Sequence, residues 1–376
     1  MRPVKTAGPS QELRHWLALI RAPGLGAVAA AQLLERFGDP QALYAAGSHE
    51  WAAAGIPAAL HQGLLRPDRQ GIEQDLRWLD GDARHLITWN DPRYPAQLRQ
   101  IVQAPVALFC HGDPALLSRP QLAIVGARAA TPQGLDNAEA FAAELTRRGL
   151  LVTSGLALGV DGAAHRGALA AGGATVAVCA TGLDRVYPAR HRELAHEIGQ
   201  RGAMISEFPT GSPPVEEHFP RRNRLISGLA LGVLVVEAAK GSGSLITARF
   251  ALEQGRDVFA IPGSIHNLLS HGCHQLIRQG AKLTESVDDI LEEVAPLAHE
   301  AAARLRLAPP PAEPIALDPT QQRVLEALGF DATPFDRLVE RTSLPVENLS
   351  AALLALELHG CVAAAPGGAY QRLTKN

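Results

Sequence analysis

The sequence predicts an α/β protein: a doubly wound parallel sheet domain of extended Rossmann-like type, with a SAM-like helical domain before it and a winged-helix-like domain after it. Three observations carry this. Between residues 121 and 295, short apolar runs alternate with amphipathic helical patterns: LAIVG (122–126), LLVTSG (150–155), ATVAVCA (174–180), AMISE (203–207), VLVVEA (233–238), DVFAIPG (257–263) and AKLT (281–284). Strands buried on both faces read as continuous apolar runs, and strand–helix alternation builds parallel sheets with right-handed crossovers. Residues 1–78 and 318–376 read instead as strings of short helices. Hydrophobic residues make up 47% and charged residues 19% of the 376, enough to bury a core in each of two or three domains.

Taken in order, QELRHWLALIRA sets Leu13, Trp16, Leu17 and Ile20 at helical spacing. The turn Pro23-Gly24-Leu25-Gly26 follows, then AVAAAQLLERFG, which ends on Gly38. Helix, P-G-x-G turn and helix are similar to a helix-hairpin-helix module, whose hairpin amides can hold a DNA phosphate. Acids and bases nearly balance here, so plain helical packing is the stronger expectation. Residues 79–120 carry the helix breakers Asp91-Pro92-Arg93-Tyr94-Pro95 and Ala104-Pro105 and one short strand, Val106-Ala107-Leu108-Phe109; they read as a connector. The sheet domain occupies 121–295. Residues 296–317, rich in alanine and containing Pro309-Pro310-Pro311, read as a linker. In 318–376, DPTQQRVLEALG, PFDRLVERTS and PVENLSAALLALELHG precede Cys361-Val362-Ala363 and the turn Pro366-Gly367-Gly368. Three helices and a closing hairpin describe a winged helix. Its stretch VENLSAALLALELHG has no Arg or Lys to offer phosphates, which points to protein contact or packing rather than DNA.

Lys+Arg total 35 against 38 Asp+Glu, a net charge of −3. This excludes a globally basic coat for nucleic acid but leaves room for a local basic groove. Aromatic residues are 5%, so a site that stacks bases must rely on one or two rings. Cys110, Cys179, Cys273 and Cys361 are far apart in sequence, which speaks against a zinc knuckle or a C-x-x-C redox pair and for reduced thiols in the cytoplasm. The first residues lack an apolar core and no apolar run reaches 18 residues, so neither a signal peptide nor a membrane span is expected.

The first strand ends in Val125-Gly126-Ala127-Arg128 and not in G-x-G-x-x-G, so no dinucleotide fingerprint is present. Four turns expected on one rim of the sheet are nonetheless small, amide-rich or basic: Gly126 to Arg128, Ser154-Gly155 to Gly159, Phe219 to Arg224, and Lys240-Gly241-Ser242-Gly243-Ser244. One such turn is ordinary strand-to-helix geometry. Four on one rim predict a phosphate-binding surface made of backbone amides and helix starts. FPRRNRLISG is the most basic segment, with Arg221, Arg222 and Arg224 beside Asn223 and directly after Phe219. A ring next to guanidinium groups suits a single strand, the ring stacking on a base and the arginines following phosphates. The alternative is that Phe219 fills core and an arginine pairs with Glu216 or Glu217.

In order and spacing, VGARAATPQG, SGLALGVDGAAHRGAL, ATGLDRVYP, ISEFP, HFPRRNRLISGL, VVEAAKGSGSLITARFALEQGRDVFAIPG and GCHQLIRQGA resemble the DNA-processing protein DprA (Smf) family. The resemblance is dense over 121–295, and the flanking helical regions match that family's layout. It implies a bacterial cytoplasmic protein of natural transformation that binds incoming single-stranded DNA, dimerises through its Rossmann-like domain and loads the recombinase RecA, with no cofactor and no established catalysis. Carried onto this chain, the binding site is Gly126, Arg128, Ser154, Gly155, Phe219, Arg221, Arg222, Asn223, Arg224, Lys240, Ser242, Gly243 and Ser244. Two positions depart from the family pattern: Ala127 stands where Ser or Thr is common, and Leu158 where Arg is common. Asp161 and His165 read as structural, orienting the helix after the second turn.

A rival reading is an enzyme. VVEAAKGSGSLITA loosely resembles the nucleoside-monophosphate phosphoribohydrolases, whose P-G-G-x-G-T-x-x-E loop cradles phosphate and supplies a carboxylate. Here Lys240 replaces the proline, Ala248 or a near neighbour holds the glutamate's place, and Glu253 lies too far along the helix. Asp161, Glu207 and Glu237 remain as strand-end carboxylates for acid–base work.

Overall fold

The computed structural model describes residues 11–302, 318–329, 332–359, 361–365 and 367–373. The first helical region comprises α1 (Gln11–Ile20), α2 (Ala27–Phe37), α3 (Pro40–Ala53), α4 (Ala58–Leu65) and α5 (Arg69–Leu79). Asp39 and Asp68 start α3 and α5 by accepting the backbone N–H of Ala42 and Gly71, and Gly38 ends α2. Trp16, Leu19, Leu33, Leu34, Leu43 and Trp51 form its core.

Residues 79–120 were expected to connect domains, and this needs correction. They supply two strands, β1 (Arg84–Thr88) and β2 (Ala107–Gly112), separated by the short α6 (Ala96–Arg99). The chain then alternates β3 (Gln121–Val125), α7 (Pro132–Arg147), β4 (Leu151–Ser154), α8 (Val160–Ala170), β5 (Thr175–Val178), α9 (Arg192–Arg201) and β6 (Ala203–Ser206). It continues with α10 (His218–Leu229), β7 (Gly232–Val235), α11 (Gly243–Glu253), β8 (Asp257–Ala260), α12 (His271–Arg278), β9 (Lys282–Leu283) and α13 (Val287–Ala302). All seven apolar runs are strands.

They join a nine-stranded sheet in the order β1-β2-β6-β5-β4-β3-β7-β8-β9. From β6 to β9 every pairing is parallel, whereas β2 runs antiparallel to β6 and β1 antiparallel to β2. The sheet is therefore mixed and not purely parallel. Leu17, Ile72, Leu76 and Trp78 of the first helical region pack on Phe109 of β2, so the added strands bind that region to the sheet. Alternate residues of each strand serve opposite faces. Leu122, Ile124, Val152 and Leu234 meet Ala138, Ala142 and Leu145 of α7 and Val160, Ala164 and Ala168 of α8. Ala123, Val125, Val176 and Val233 meet Leu225, Ile226 and Leu229 of α10 and Ala248 and Ala251 of α11.

The last region comprises α14 (Pro319–Leu328), β10 (Thr333–Pro334), α15 (Phe335–Thr342), α16 (Val346–Leu358), β11 (Val362–Ala365) and β12 (Ala369–Arg372), with β12 between β10 and β11 in a small antiparallel sheet. Asp318 and Gln321 form a capping box at the start of α14. Gln371 donates to Gln133 in the first turn of α7 at 3.0 Å. The expected linker is helical in its first part, because α13 runs to Ala302; 303–317 lie outside the described residues, as does Pro366 of the expected turn. All four cysteines are free and buried, and burial pushes the thiols of Cys110, Cys179 and Cys273 up to about 12. Among the described residues no helix is long and apolar enough to cross a membrane.

Candidate nucleic-acid interface

β3 has β4 on one side and β7 on the other, so the direction of winding reverses there. Open α/β sheets bind ligands beyond the carboxyl ends of the strands at such a switch point. A cleft of about 770 Å³ opens at this place. Gly126 and Arg128 line it from the turn after β3, Lys240, Ser242, Gly243 and Ser244 from the turn after β7, and Phe219, Arg222 and Asn223 from α10. Gly155 lines a smaller adjoining pocket. These ten of the expected residues are brought together.

The turns are held by close backbone contact. Gly159 has φ +77°, and a Cβ there would collide with the carbonyls of Ala127 and Arg128. A side chain at Gly155 would strike the Arg222 guanidinium. Asp161 accepts the backbone N–H groups of Gly155 and Ala157 at 3.1 and 3.3 Å, which fixes the second turn. His165 is wholly buried and shares a hydrogen bond of 2.8 Å with Thr175. Ser242 caps α11: its Oγ accepts the Ser244 N–H at 3.4 Å and lies 2.8 Å from the Ser244 hydroxyl. The first-turn amides of α11 face a cleft whose electrostatics favour an anion. Asn223 donates to the Gly243 carbonyl at 3.3 Å, tying α10 to this turn. Arg128 and Lys240 are exposed, and among the described residues neither has an acidic partner. Arg128 lies 5.3 Å above the ring of Phe219, a cation–π contact.

The basic segment is not a strand-end turn. It is the start of α10, with Pro220 in the first turn, where a missing N–H costs nothing. A helix sends successive side chains in different directions, so three adjacent arginines have separate tasks. Arg224 is buried and meets Glu207 at 2.7 Å, and Arg221 turns to the same carboxylate at 2.9 Å. Neither lines the cleft, which corrects the expectation that both follow phosphates; the acid that neutralises them is Glu207, not Glu216 or Glu217. Arg222 lines the cleft but is only 4% exposed, with its Nη1 donating to the carbonyls of Gly155 and Val178 at 2.5 and 2.6 Å. Burial pulls its pKa down, and the nearby Asp161 opposes that pull. Arg222 is thus a buried positive floor and not a mobile side chain. Ser154 is also misassigned: it is fully buried and donates to the Ile124 carbonyl at 2.6 Å.

The other carboxylates are committed to structure. Burial raises the pKa of Asp161, against Arg222 and the two backbone donors. Burial likewise raises that of Glu237, which accepts the Thr131 N–H at 2.9 Å and its hydroxyl at 2.7 Å. Tyr187 was not singled out by the sequence reading, although it stands in the run ATGLDRVYP. It is 46% exposed, and its ring centroid lies 5.7 Å from that of Phe219.

Fold and cleft define a doubly wound α/β protein with a cationic, amide-rich cleft at its switch point. Comparison with known proteins makes this specific. The family described as DNA recombination-mediator protein A matches residues 85–295, and the DprA winged helix domain matches 308–368. The chain belongs to this DprA/Smf family. Protein Smf of Escherichia coli (strain K12) is 44% identical over 329 residues, covering 85% of this chain and 86% of that protein. DNA processing protein DprA of Streptococcus pneumoniae is 50% identical over 203 residues, 54% of this chain and 72% of the relative. The X-ray structure of DNA processing protein A from Streptococcus pneumoniae superposes with a TM-score of 0.65 at 38% identity, covering 74% of this chain and 97% of that one. DNA processing protein A from Helicobacter pylori, a protein described by its single-stranded DNA binding mode, gives a TM-score of 0.50 at 30% identity over 54% of this chain and 93% of that one.

Proposed function

We propose that this protein binds single-stranded DNA in the switch-point cleft and loads RecA recombinase onto it during natural transformation, acting in the cytoplasm and without catalysis. One observation carries the binding: Arg128, unpaired and stacked on Phe219, faces Lys240 and the amides of Ser242 to Ser244 across a single cleft. A ring beside free cations and backbone donors suits a flexible strand of any sequence. Among the described residues no long basic helix is available for a duplex major groove. Membership of a recombination-mediator family and the described binding mode of the Helicobacter pylori relative support the same reading. A homodimer through the sheet domain would link two such clefts, and linkage of this kind raises avidity by roughly 10²–10⁴. The carboxylates needed for the phosphoribohydrolase reading are engaged by Thr131, by Arg221 and Arg224, and by the second turn. Fluorescence anisotropy with single-stranded and blunt duplex oligonucleotides at two salt concentrations tests binding. The single strand is expected to bind tighter, and equal or tighter duplex binding overturns the proposal. RecA filament growth on single-stranded DNA, with and without this protein, tests loading.

A further inference from the structure

Residues 207–217, between β6 and α10, belong to no helix or strand, so no regular ladder of hydrogen bonds fixes their course. They nevertheless form part of the cleft. Pro214 and Glu216 line it, and Phe219 stands just beyond them at the start of α10. What grips this segment comes from the first helical region. Arg21, directly after α1, pairs with Asp75 of α5 at 2.5 Å between Nε and Oδ2, and the carboxylate is wholly buried. Between them they take every polar group of Thr210. Asp75 Oδ1 accepts the Thr210 N–H at 3.0 Å and its hydroxyl at 2.7 Å, and Arg21 Nη2 donates to the Thr210 carbonyl at 2.9 Å. Gly71 makes the room for this, since a Cβ there would strike the Arg21 guanidinium.

We propose that Arg21 and Asp75 are positioning residues of the cleft: they hold the 207–217 segment, and through it Phe219, where the aromatic wall of the cleft must stand. The proposal rests on the single-strand reading above. Two observations point beyond plain stability. A buried ion pair adds little stability over apolar residues of the same size, and its best attested use is to specify one arrangement of the chain. The second observation is where the grip leads. Phe208 and His218, which flank the segment on either side of Thr210, stack with their ring centroids 3.9 Å apart, and the Arg221 guanidinium covers Phe208 at 5.2 Å. The segment is thereby closed onto the first turn of α10, the turn that presents Phe219 to Arg128. A shift of Thr210 is passed to that turn. Among the described residues none of the first helical region lines the cleft, so that region acts on the strand through the segment it grips.

The test measures the affinity of the full chain for an oligothymidylate, well below the melting temperature of every variant, so that only folded protein is compared. Asp75→Asn keeps the shape of the side chain and removes its charge. It is expected to weaken binding roughly tenfold, within the range by which residues that touch no ligand modulate a distant site. Its salt dependence should match the wild type, because Arg128 and Lys240 still meet the phosphates. In a Phe219→Ala background the same substitution is expected to cost nothing further, as a shared route requires. Thr210→Val, which deletes only the hydroxyl, is expected to weaken binding in the same direction by less, and Thr210→Ser to restore it. Wild-type affinity in folded Asp75→Asn, with a lowered melting temperature alone, makes the pair merely structural and overturns the proposal. So does a full penalty that persists without the Phe219 ring. If Asp75→Asn does not fold, Thr210→Val decides, and wild-type affinity there overturns the proposal equally. These outcomes leave the cleft's function standing. A wild-type protein that binds no single strand instead ends the single-strand reading, and the positioning role falls with it.

Discussion

Among the side chains at the cleft, free and committed cations predict opposite phenotypes. Arg128→Ala and Lys240→Ala each remove an unpaired charge from the surface. Each is expected to weaken single-strand binding by about 1.5–3 kcal/mol, the worth of a charge-assisted hydrogen bond, with an unchanged melting temperature. Anisotropy and calorimetry on the same samples check this. Arg224→Ala leaves the carboxylate of Glu207 buried beside only the half-exposed Arg221. It is expected to destabilise the fold by about 3–5 kcal/mol, seen as a lower urea midpoint, while the folded fraction binds normally. Arg222→Ala shares that destabilisation, since the carbonyls of Gly155 and Val178 lose their donor, but it also removes the positive floor of the cleft, so its folded fraction is expected to bind more weakly. In the sequence these arginines form one basic run. Their division of labour was invisible there because Glu207 lies 14 and 17 residues from its two partners, a distance that only the fold closes.

The elements that place these side chains were unequally legible. Seven strands could be read from apolar runs because both faces of the sheet are covered. β1 was not, because RHLIT is half-exposed and its apolar content is low. α10 was read as a turn because Pro220 and four polar residues open it; only Leu225, Ile226 and Leu229 mark its buried face. The glycine turns were recognised, but their purpose is steric as much as anion-binding. Gly159→Ala would press α8 away from the Arg128 turn, so single-strand affinity is expected to fall more than tenfold, on the order of the 1.4 kcal/mol that separates decades, with a melting temperature lowered as well. Within α8, burial pushes the imidazole of His165 down to about 3. It stays neutral in the fold while the unfolded chain takes up its proton near pH 6.5. Stability is therefore complete above that pH and falls as the pH drops toward 3. Between pH 7 and pH 5 this one group accounts for about 2 kcal/mol. Urea midpoints at the two values measure the loss, and His165→Gln should flatten it.

Across the whole molecule, only the cleft is expected to bind the strand. Removing 312–376 should change single-strand affinity by less than tenfold in a folded truncation, because 312–376 carries 5 bases against 8 acids; a larger loss would show that the last domain shares in binding. If Arg128 and Lys240 are the two phosphate-contacting cations of each subunit, log affinity should fall with log salt with a slope of about −1.4 per cleft, and a titration reads it directly. The domain succession was legible from composition and periodicity. The antiparallel edge was not, since it depends on β2 finding a partner almost a hundred residues further along.

That same topology constrains the order in which a growing chain can become stable. β2, at 107–112, has no neighbour on its inner side until β6, at 203–206, has been synthesised, and β3 waits for β7, at 232–235, before it is flanked on both sides. A chain emerging from the ribosome thus carries a completed helical region and a bare strand edge for the time it takes to add these residues. Loop closure on this scale is slow, and an unpaired edge is a template for other chains. Nascent chains arrested near residue 200 are expected to aggregate or to recruit chaperones, and chains arrested a few tens of residues beyond 235 are expected to do neither.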